Sequence, residues 1–183
     1  MKGALYYDTR YGSTEKVSRW IISEITYADV NILKVDNNNI LANYYDFYIL
    51  GSPIFIGKPM ESIVDFIQSN RDEFTKKDVF LFITSWAQST KYCSECEKFL
   101  ELLKFHLFPC IPAISRSLPG KLIMDKIDKK DYRIMERLLR RIDSISDDFN
   151  SKSIIFNDQT SKKQSKEFGR EINEWIRNKS NML

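Results

Sequence analysis

Three short stretches of this chain carry residue types whose spacing could do chemistry. The first reads Asp8-Thr9-Arg10-Tyr11-Gly12-Ser13-Thr14. It follows an apolar, strand-like run and opens a helix-period segment, so its backbone amides and the hydroxyls of Thr9, Ser13 and Thr14 converge where a helix dipole favours an anion. A phosphate fits there. Gly12 lets the backbone turn and approach a ligand closely, while Arg10 either adds charge or stays in solvent. The alternative is that Ser13 and Thr14 merely cap the helix.

The second stretch, Gly51-Ser52-Pro53-Ile54-Phe55-Ile56-Gly57, is an apolar loop bracketed by glycines. Exposed Ile54, Phe55 and Ile56 would need something flat to cover them, such as an aromatic cofactor; otherwise they pack on a neighbouring helix. The third, Thr84-Ser85-Trp86-Ala87-Gln88-Ser89, puts an indole where it could stack on a ring, with Ser85 and Gln88 reaching the ring's edge. Cys93 and Cys96 form a C-x-x-C, but no second ligand pair exists and His106 is the only histidine. Cys96 also lies on an apolar helical stripe, so burial as a small hydrophobe is the better reading, and Cys110, beside Pro109 and Pro112, reads as structural. His106 ends its helix near the last carbonyls, with proton transfer as the alternative. No side chain stands out as a nucleophile, and no metal site is expected.

The elements that must position these stretches alternate. Ala4 to Tyr7, Val30 to Val35, Phe47 to Leu50, Val79 to Thr84 and Ile111 to Ser115 read as five strands, mostly continuous in apolar character as parallel strands are. Helical stripes lie between and after them. They are Val17, Ile21 and Ile25 with Trp20; Met60, Ile63, Val64 and Ile67, opened by Pro59; Cys96, Leu100, Leu103 and Leu107; Met135, Leu138, Leu139 and Ile142; and Phe168, Ile172, Trp175 and Ile176. Asn37 to Asn43 reads as irregular. The pattern predicts an α/β three-layer sandwich with right-handed crossovers around a five-stranded parallel sheet, its ligand crevice beyond the carboxyl ends of the strands. The three stretches then meet in one crevice.

At 183 residues the chain suits one domain, 1–183. Between the fifth strand and the last helix lies an insertion of about residues 117–158 that a simple five-stranded unit does not need. The formal charge of +3 is unevenly spread: Arg116 to Arg141 hold nine basic residues against four acidic ones. Such a field concerns partners rather than fold. Leu118, Leu122, Ile123, Met124 and Ile127 interleave with lysines there, a pattern suited to an anionic surface, a quinone or a carboxylated ring; the alternative is a lid helix with a solvated basic face. Nucleic acid is not expected, because the aromatic residues belong to strands and core stripes. No apolar run approaches the roughly 20 residues of a membrane-spanning helix. No signal peptide is apparent and the cysteines read as thiols, so a cytoplasmic location is expected, with peripheral membrane contact through the insertion as an extension.

The Thr9-x-x-Gly12-x-Thr14 loop, the Gly51 to Gly57 loop and the Trp86 loop resemble those of the flavodoxin superfamily. The phrase Asp8-Thr9-Arg10-Tyr11-Gly12-Ser13-Thr14, Gly51-x-x-Ile54-x-x-Gly57, the Asp131-Tyr132-Arg133-Ile134-Met135 helix and the closing Phe168-Gly169-Arg170-Glu171-Ile172 are most similar to its menaquinone-dependent protoporphyrinogen oxidase branch. The resemblance implies a flavodoxin-like fold with strand order 2-1-3-4-5, and FMN as cofactor. It implies that Thr9, Arg10, Tyr11, Gly12, Ser13 and Thr14 hold the phosphate. Ser52, Pro53, Ile54, Phe55, Ile56 and Gly57, with Ser85, Trp86, Ala87 and Gln88, would flank the isoalloxazine. It further implies oxidoreductase or electron-transfer activity with a redox partner protein, or with a quinone and a porphyrin-like substrate. Ordinary flavodoxins are strongly acidic, whereas this chain is net basic. A flavodoxin-shaped binding module without cofactor is the reading from a different class.

Overall fold

Residues 3–7 are all buried behind an exposed Lys2, and Lys2–Tyr7 forms strand β1 at the heart of the sheet. The computed structural model describes residues 1–35, 41, 44–89, 93–123, 129, 131–134, 137 and 156–181. The expected fourth stripe (Met135, Leu138, Leu139, Ile142), Met124 and Ile127, all of Asn37 to Asn43 but Leu41, and residues 153–155 lie outside these. After β1 come α1 (Ser13–Ile22), β2 (Asp29–Lys34), β3 (Phe47–Phe55), β4 (Lys58–Pro59), α2 (Glu61–Ser69), α3 (Arg71–Phe74) and β5 (Asp78–Ser85). A 3₁₀ turn (Trp86–Ser89), α4 (Ser94–Leu107), β6 (Ile114–Pro119), β7 (Lys121–Ile123) and β8 (Phe156–Asp158) precede the closing helix α5 (Lys162–Ser180).

The main sheet runs β2-β1-β3-β5-β6 with every neighbour parallel, which is the expected order, and β4 adds a short antiparallel pairing on β3. Period-two alternation divides the core. Ala4, Tyr6, Tyr48, Leu50, Val79, Leu81 and Ile83 face Ile63, Phe66 and Ile67 of α2 and Leu100, Leu103 and Leu107 of α4. Leu5, Tyr7, Phe47, Ile49, Phe80 and Phe82 face Val17 and Ile21 of α1 and Phe168, Ile172 and Ile176 of α5. Each buried side chain of this size contributes about 1.5–3 kcal/mol of transfer free energy, so the apolar stripes rather than the caps hold these helices on the sheet. Gly169 is a close-approach site: a Cβ there would lie 2.3 Å from the Ile21 carbonyl oxygen, so α1 and α5 meet backbone to backbone.

Several boundaries differ from the sequence expectation. β3 extends to Phe55, because its ladder with β5 continues through Pro53 opposite Thr84. Most of the second stretch is therefore strand, and its turn is only Ile56 (φ 49°) and Gly57 (φ 75°). Pro59 lies in β4 rather than opening α2, whose N-cap is Met60. β6 starts at Ile114, three residues later than expected, with Ile111 85% exposed. The ladder opens only past Pro112, where Ala113 N–H donates to the Val79 carbonyl at 2.8 Å, because the prolines before it have no donor to offer. Leu118, Leu122 and Ile123 of the insertion are buried, against the expectation that they lie on an anionic surface. Leu118 packs into the α1 and α5 side of the core as part of β6, whereas Leu122 packs against Tyr11, Phe55, Ile56 and Trp86 from β7, which pairs antiparallel with β8.

Candidate functional site

β1 ends where its apolar run meets Asp8, and the chain turns through Thr9 to Gly12 into α1. Gly12, at φ 79° in the left-handed region, is the N-cap of α1, and among the described residues no side chain caps this helix start. The expectation that Ser13 or Thr14 caps α1 is thereby corrected: both lie inside the helix and are buried. The first amides of a helix have no partner within it, so they face the crevice with the positive end of the dipole. A Cβ built on Gly12 meets no atom within 4 Å, so the space beside the turn is open.

Hydrogen bonds lock this turn to the sheet. Asp8 is 8% exposed, and its carboxylate accepts from Thr9 N–H at 2.6 Å and from the Ser62 hydroxyl, with Lys34 Nζ 3.8 Å away. Asp8 N–H donates to the Gly51 carbonyl at 3.3 Å, tying the first turn to β3. Thr14 Oγ1 lies 3.0 Å from Thr84 Oγ1, tying α1 to β5. Thr9 Oγ1 is buried without a hydrogen-bond partner among the described residues, and so is Trp86 Nε1. Buried polar groups are normally satisfied. Two orphans at one crevice, beside an open helix start, fit a ligand with both an anionic and an aromatic part.

The ring-flanking side chains are also together. Tyr11, Phe55, Ile56 and Trp86 pack around Leu122 of β7. The Arg10 guanidinium sits 3.8 Å from the Phe55 ring centroid, within cation–π range, and donates to Asp131 Oδ2 at 2.8 Å. Ile56 holds its positive φ as a non-glycine residue, a conformation kept where surrounding contacts over-determine it.

Other expected site residues are committed elsewhere. Ser52 Oγ donates to the Pro53 carbonyl and accepts from Met60 N–H, both at 3.0 Å, bracing the hairpin. Ser85 Oγ accepts from Ala87 N–H at 3.2 Å. Gln88 lines a polar cleft of about 480 Å³ along β6, with Glu97, Lys104 and Arg116. Ile54 packs on the core beneath α2 and α4. Asp8, Thr84, Leu122 and Asp131 stood in the stretches read from the sequence but were not assigned to the cofactor site, and Ser62 was not singled out; all five have contacts around the crevice. The signal for Asp8 was its position as the first charge after an apolar strand; Leu122 and Asp131 carry none, because their neighbours are distant in the chain.

Cys93 is exposed while Cys96 and Cys110 are buried, all three as free thiols, and burial pushes the Cys96 and Cys110 thiols above their usual range. Among the described residues no group of histidine, cysteine and carboxylate side chains could hold a metal ion, and no helix is long and apolar enough to cross a membrane. His106 lies in the last turn of α4, its Nδ1 3.2 Å from Gln68 Nε2.

Comparison with known proteins agrees with the fold. The chain is similar to a flavodoxin from Fusobacterium nucleatum bound to flavin mononucleotide, with 14% identity over 100% of this chain and 98% of that one, TM-score 0.52. It is similar to a flavodoxin from the domain Archaea, with 13% identity over 97% and 99% of the two chains, TM-score 0.54. A flavodiiron protein from Giardia intestinalis matches at 12% identity and TM-score 0.51, over 96% of this chain but 36% of that one. No curated protein matches the sequence. The profile of the Flavodoxin domain family matches residues 4–148, and with the doubly wound sheet and the crevice at its carboxyl end this shows that the chain belongs to the flavodoxin domain family.

Proposed function

We propose that this protein binds FMN in the crevice between the Thr9–Thr14 turn, the β3–β4 hairpin and the Trp86 turn, and works as a cytoplasmic electron-transfer flavoprotein or oxidoreductase. The observation that carries the reading is the start of α1: a left-handed Gly12 N-cap with no side-chain cap, open space beside it, and a buried Thr9 hydroxyl without a partner among the described residues. That combination suits a phosphate monoester, whose charge the helix amides and hydroxyls would hold. Phe55, Ile56 and Trp86 offer apolar faces to a flat ring, and the unpartnered Trp86 Nε1 offers its edge a donor.

FMN when bound supplies one- and two-electron redox chemistry. This chain's residues bind the phosphate, orient the ring and exclude water from it. Asp8, joined to Ser62 and Thr9, keeps the turn in its binding shape.

The narrower reading, quinone-linked oxidation of a porphyrin-like substrate, rests on the sequence resemblance to the oxidase branch, whose stretch from Asp131 reaches Arg10 of the phosphate turn. The purified protein is expected to be yellow, and otherwise to quench the fluorescence of added FMN on titration. A colourless protein that ignores FMN would mean a binding module without cofactor. Quinone-dependent turnover of protoporphyrinogen by the FMN-loaded protein would select the oxidase; its absence leaves electron transfer.

A further inference from the structure

Cys93 and Cys96 share the first turn of α4. Cys93 is the N-cap of that helix, already helical at φ −57° and ψ −25°, and Cys96 N–H donates to its carbonyl at 3.0 Å. Among the described residues no side chain caps this end, so the turn is held by its backbone. Residues three apart on a helix have Cβ atoms about 5–6 Å apart, and a disulfide asks for about 3.5–4.5 Å. Tightening the uncapped turn by about 1 Å brings the pair into range.

The two thiols differ as an attacking and a resolving thiol must. Cys93 is exposed, whereas Cys96 is fully buried. Burial pushes the Cys96 thiol up, the Ser85 and Ser117 hydroxyls oppose this, and Cys93 is near enough to raise it further. Cys96 is thus shielded from solvent yet has Cys93 as a neighbour. Cys110 is no rival partner, because α4 continues from Cys96 to Leu107 before the chain reaches it, roughly 16 Å at the helical rise and far beyond the span of a disulfide. Packing accounts for Cys96 but gives no reason for an exposed thiol one turn before it. A C-x-x-C within a strand–helix–strand unit is the spacing of a redox dithiol.

We propose that Cys93 and Cys96 form a dithiol site that reduces disulfide bonds, Cys93 attacking and Cys96 resolving. The Cys93 thiolate attacks one sulfur of the substrate disulfide, forming a mixed disulfide and expelling the other sulfur as a thiolate. The Cys96 thiolate then attacks the Cys93 sulfur, closing the Cys93–Cys96 bond and expelling the second thiolate. Two electrons pass from the cysteine pair to the substrate, and the two protons lost by the cysteines are taken up by the leaving thiolates. Neither step needs the flavin, so the proposal stands or falls apart from the FMN reading.

The test starts from reduced protein freed of reductant. It is mixed with oxidised glutathione in one arm and with insulin, a disulfide-bonded protein, in the other; remaining thiols are counted after denaturation and alkylated peptides are mapped by mass spectrometry. Wild type should lose two of its three thiols, with a Cys93–Cys96 bond and no retained glutathione. Cys96→Ser and Cys96→Ala should stop at a glutathione adduct on Cys93, Cys93→Ser should keep both of its thiols, and Cys110→Ser should close as wild type does. Oxidation by glutathione alone assigns small disulfides as the substrate, and cleavage of insulin as well extends it to proteins. Wild type that keeps all three thiols in both arms, or that retains glutathione on Cys93, overturns the dithiol site, and neither result depends on a variant folding.

Discussion

Gly12 does two things that one substitution separates. It takes φ 79° at the N-cap of α1 and leaves open space where a side chain would point. A side chain is strained at this left-handed φ, Asp less than most, so Gly12→Asp should cost about 1 kcal/mol of stability. The same carboxylate would stand at the anion site and repel a phosphate, and FMN affinity should fall by about tenfold or more in a fluorescence titration. Equal affinity would remove the turn from the site. Asp158 gives a pH-dependent counterpart. Burial pushes its carboxyl up, but hydrogen bonds from Thr160 and from Lys16 outweigh this and hold it below its usual 3.8. Because the folded value lies below the unfolded one, its stabilisation is present above that range and lost as pH falls through the folded value. The difference in unfolding free energy between wild type and Asp158→Asn should therefore be constant from neutral pH down to about 5 and shrink below the usual carboxylate range.

At the scale of elements, the tightest contact is between helices. A Cβ at position 169 falls 2.3 Å from the Ile21 carbonyl, a backbone atom that cannot swing away as a side-chain tip would. Gly169→Val should force α1 and α5 apart and cost about 1–3 kcal/mol in denaturant unfolding, as overpacked sites do. Because α1 carries the Gly12 N-cap, FMN affinity should weaken in the same variant. Helix α4 makes a different prediction. Its apolar stripe buries Cys96, Cys110 is buried in the turn between α4 and β6, and Cys93 is exposed. A thiol reagent under native conditions should modify one cysteine quickly and the other two only on unfolding. Burial also pushes both slow thiols up, which lowers their thiolate fraction further.

For the whole molecule, a ligand that binds only the folded state stabilises it by mass action. FMN at a hundredfold excess over its dissociation constant should add about 2.7 kcal/mol and raise the melting temperature by roughly 5–10 °C. Riboflavin, which lacks the phosphate, should shift it much less. Much of the architecture behind this behaviour was legible in the amino-acid sequence. Runs such as Val79 to Thr84 bury both faces and stripes such as Cys96-Leu100-Leu103-Leu107 bury one, so local periodicity showed the five strands of the main sheet and four of the helical stripes, while the strand order followed from the family resemblance. The turn at Thr9 to Thr14 was visible for the same reason, since a glycine among hydroxyls between strand and helix is a local signal. Only the tertiary structure decided that β3 runs on to Phe55, because that extension is paired to β5 across a register no local pattern encodes. It also decided that Arg10 reaches Asp131 and that Leu122 closes on Trp86. These contacts join residues separated by long stretches of chain, and they arise only after the sheet has brought its carboxyl end and the insertion together.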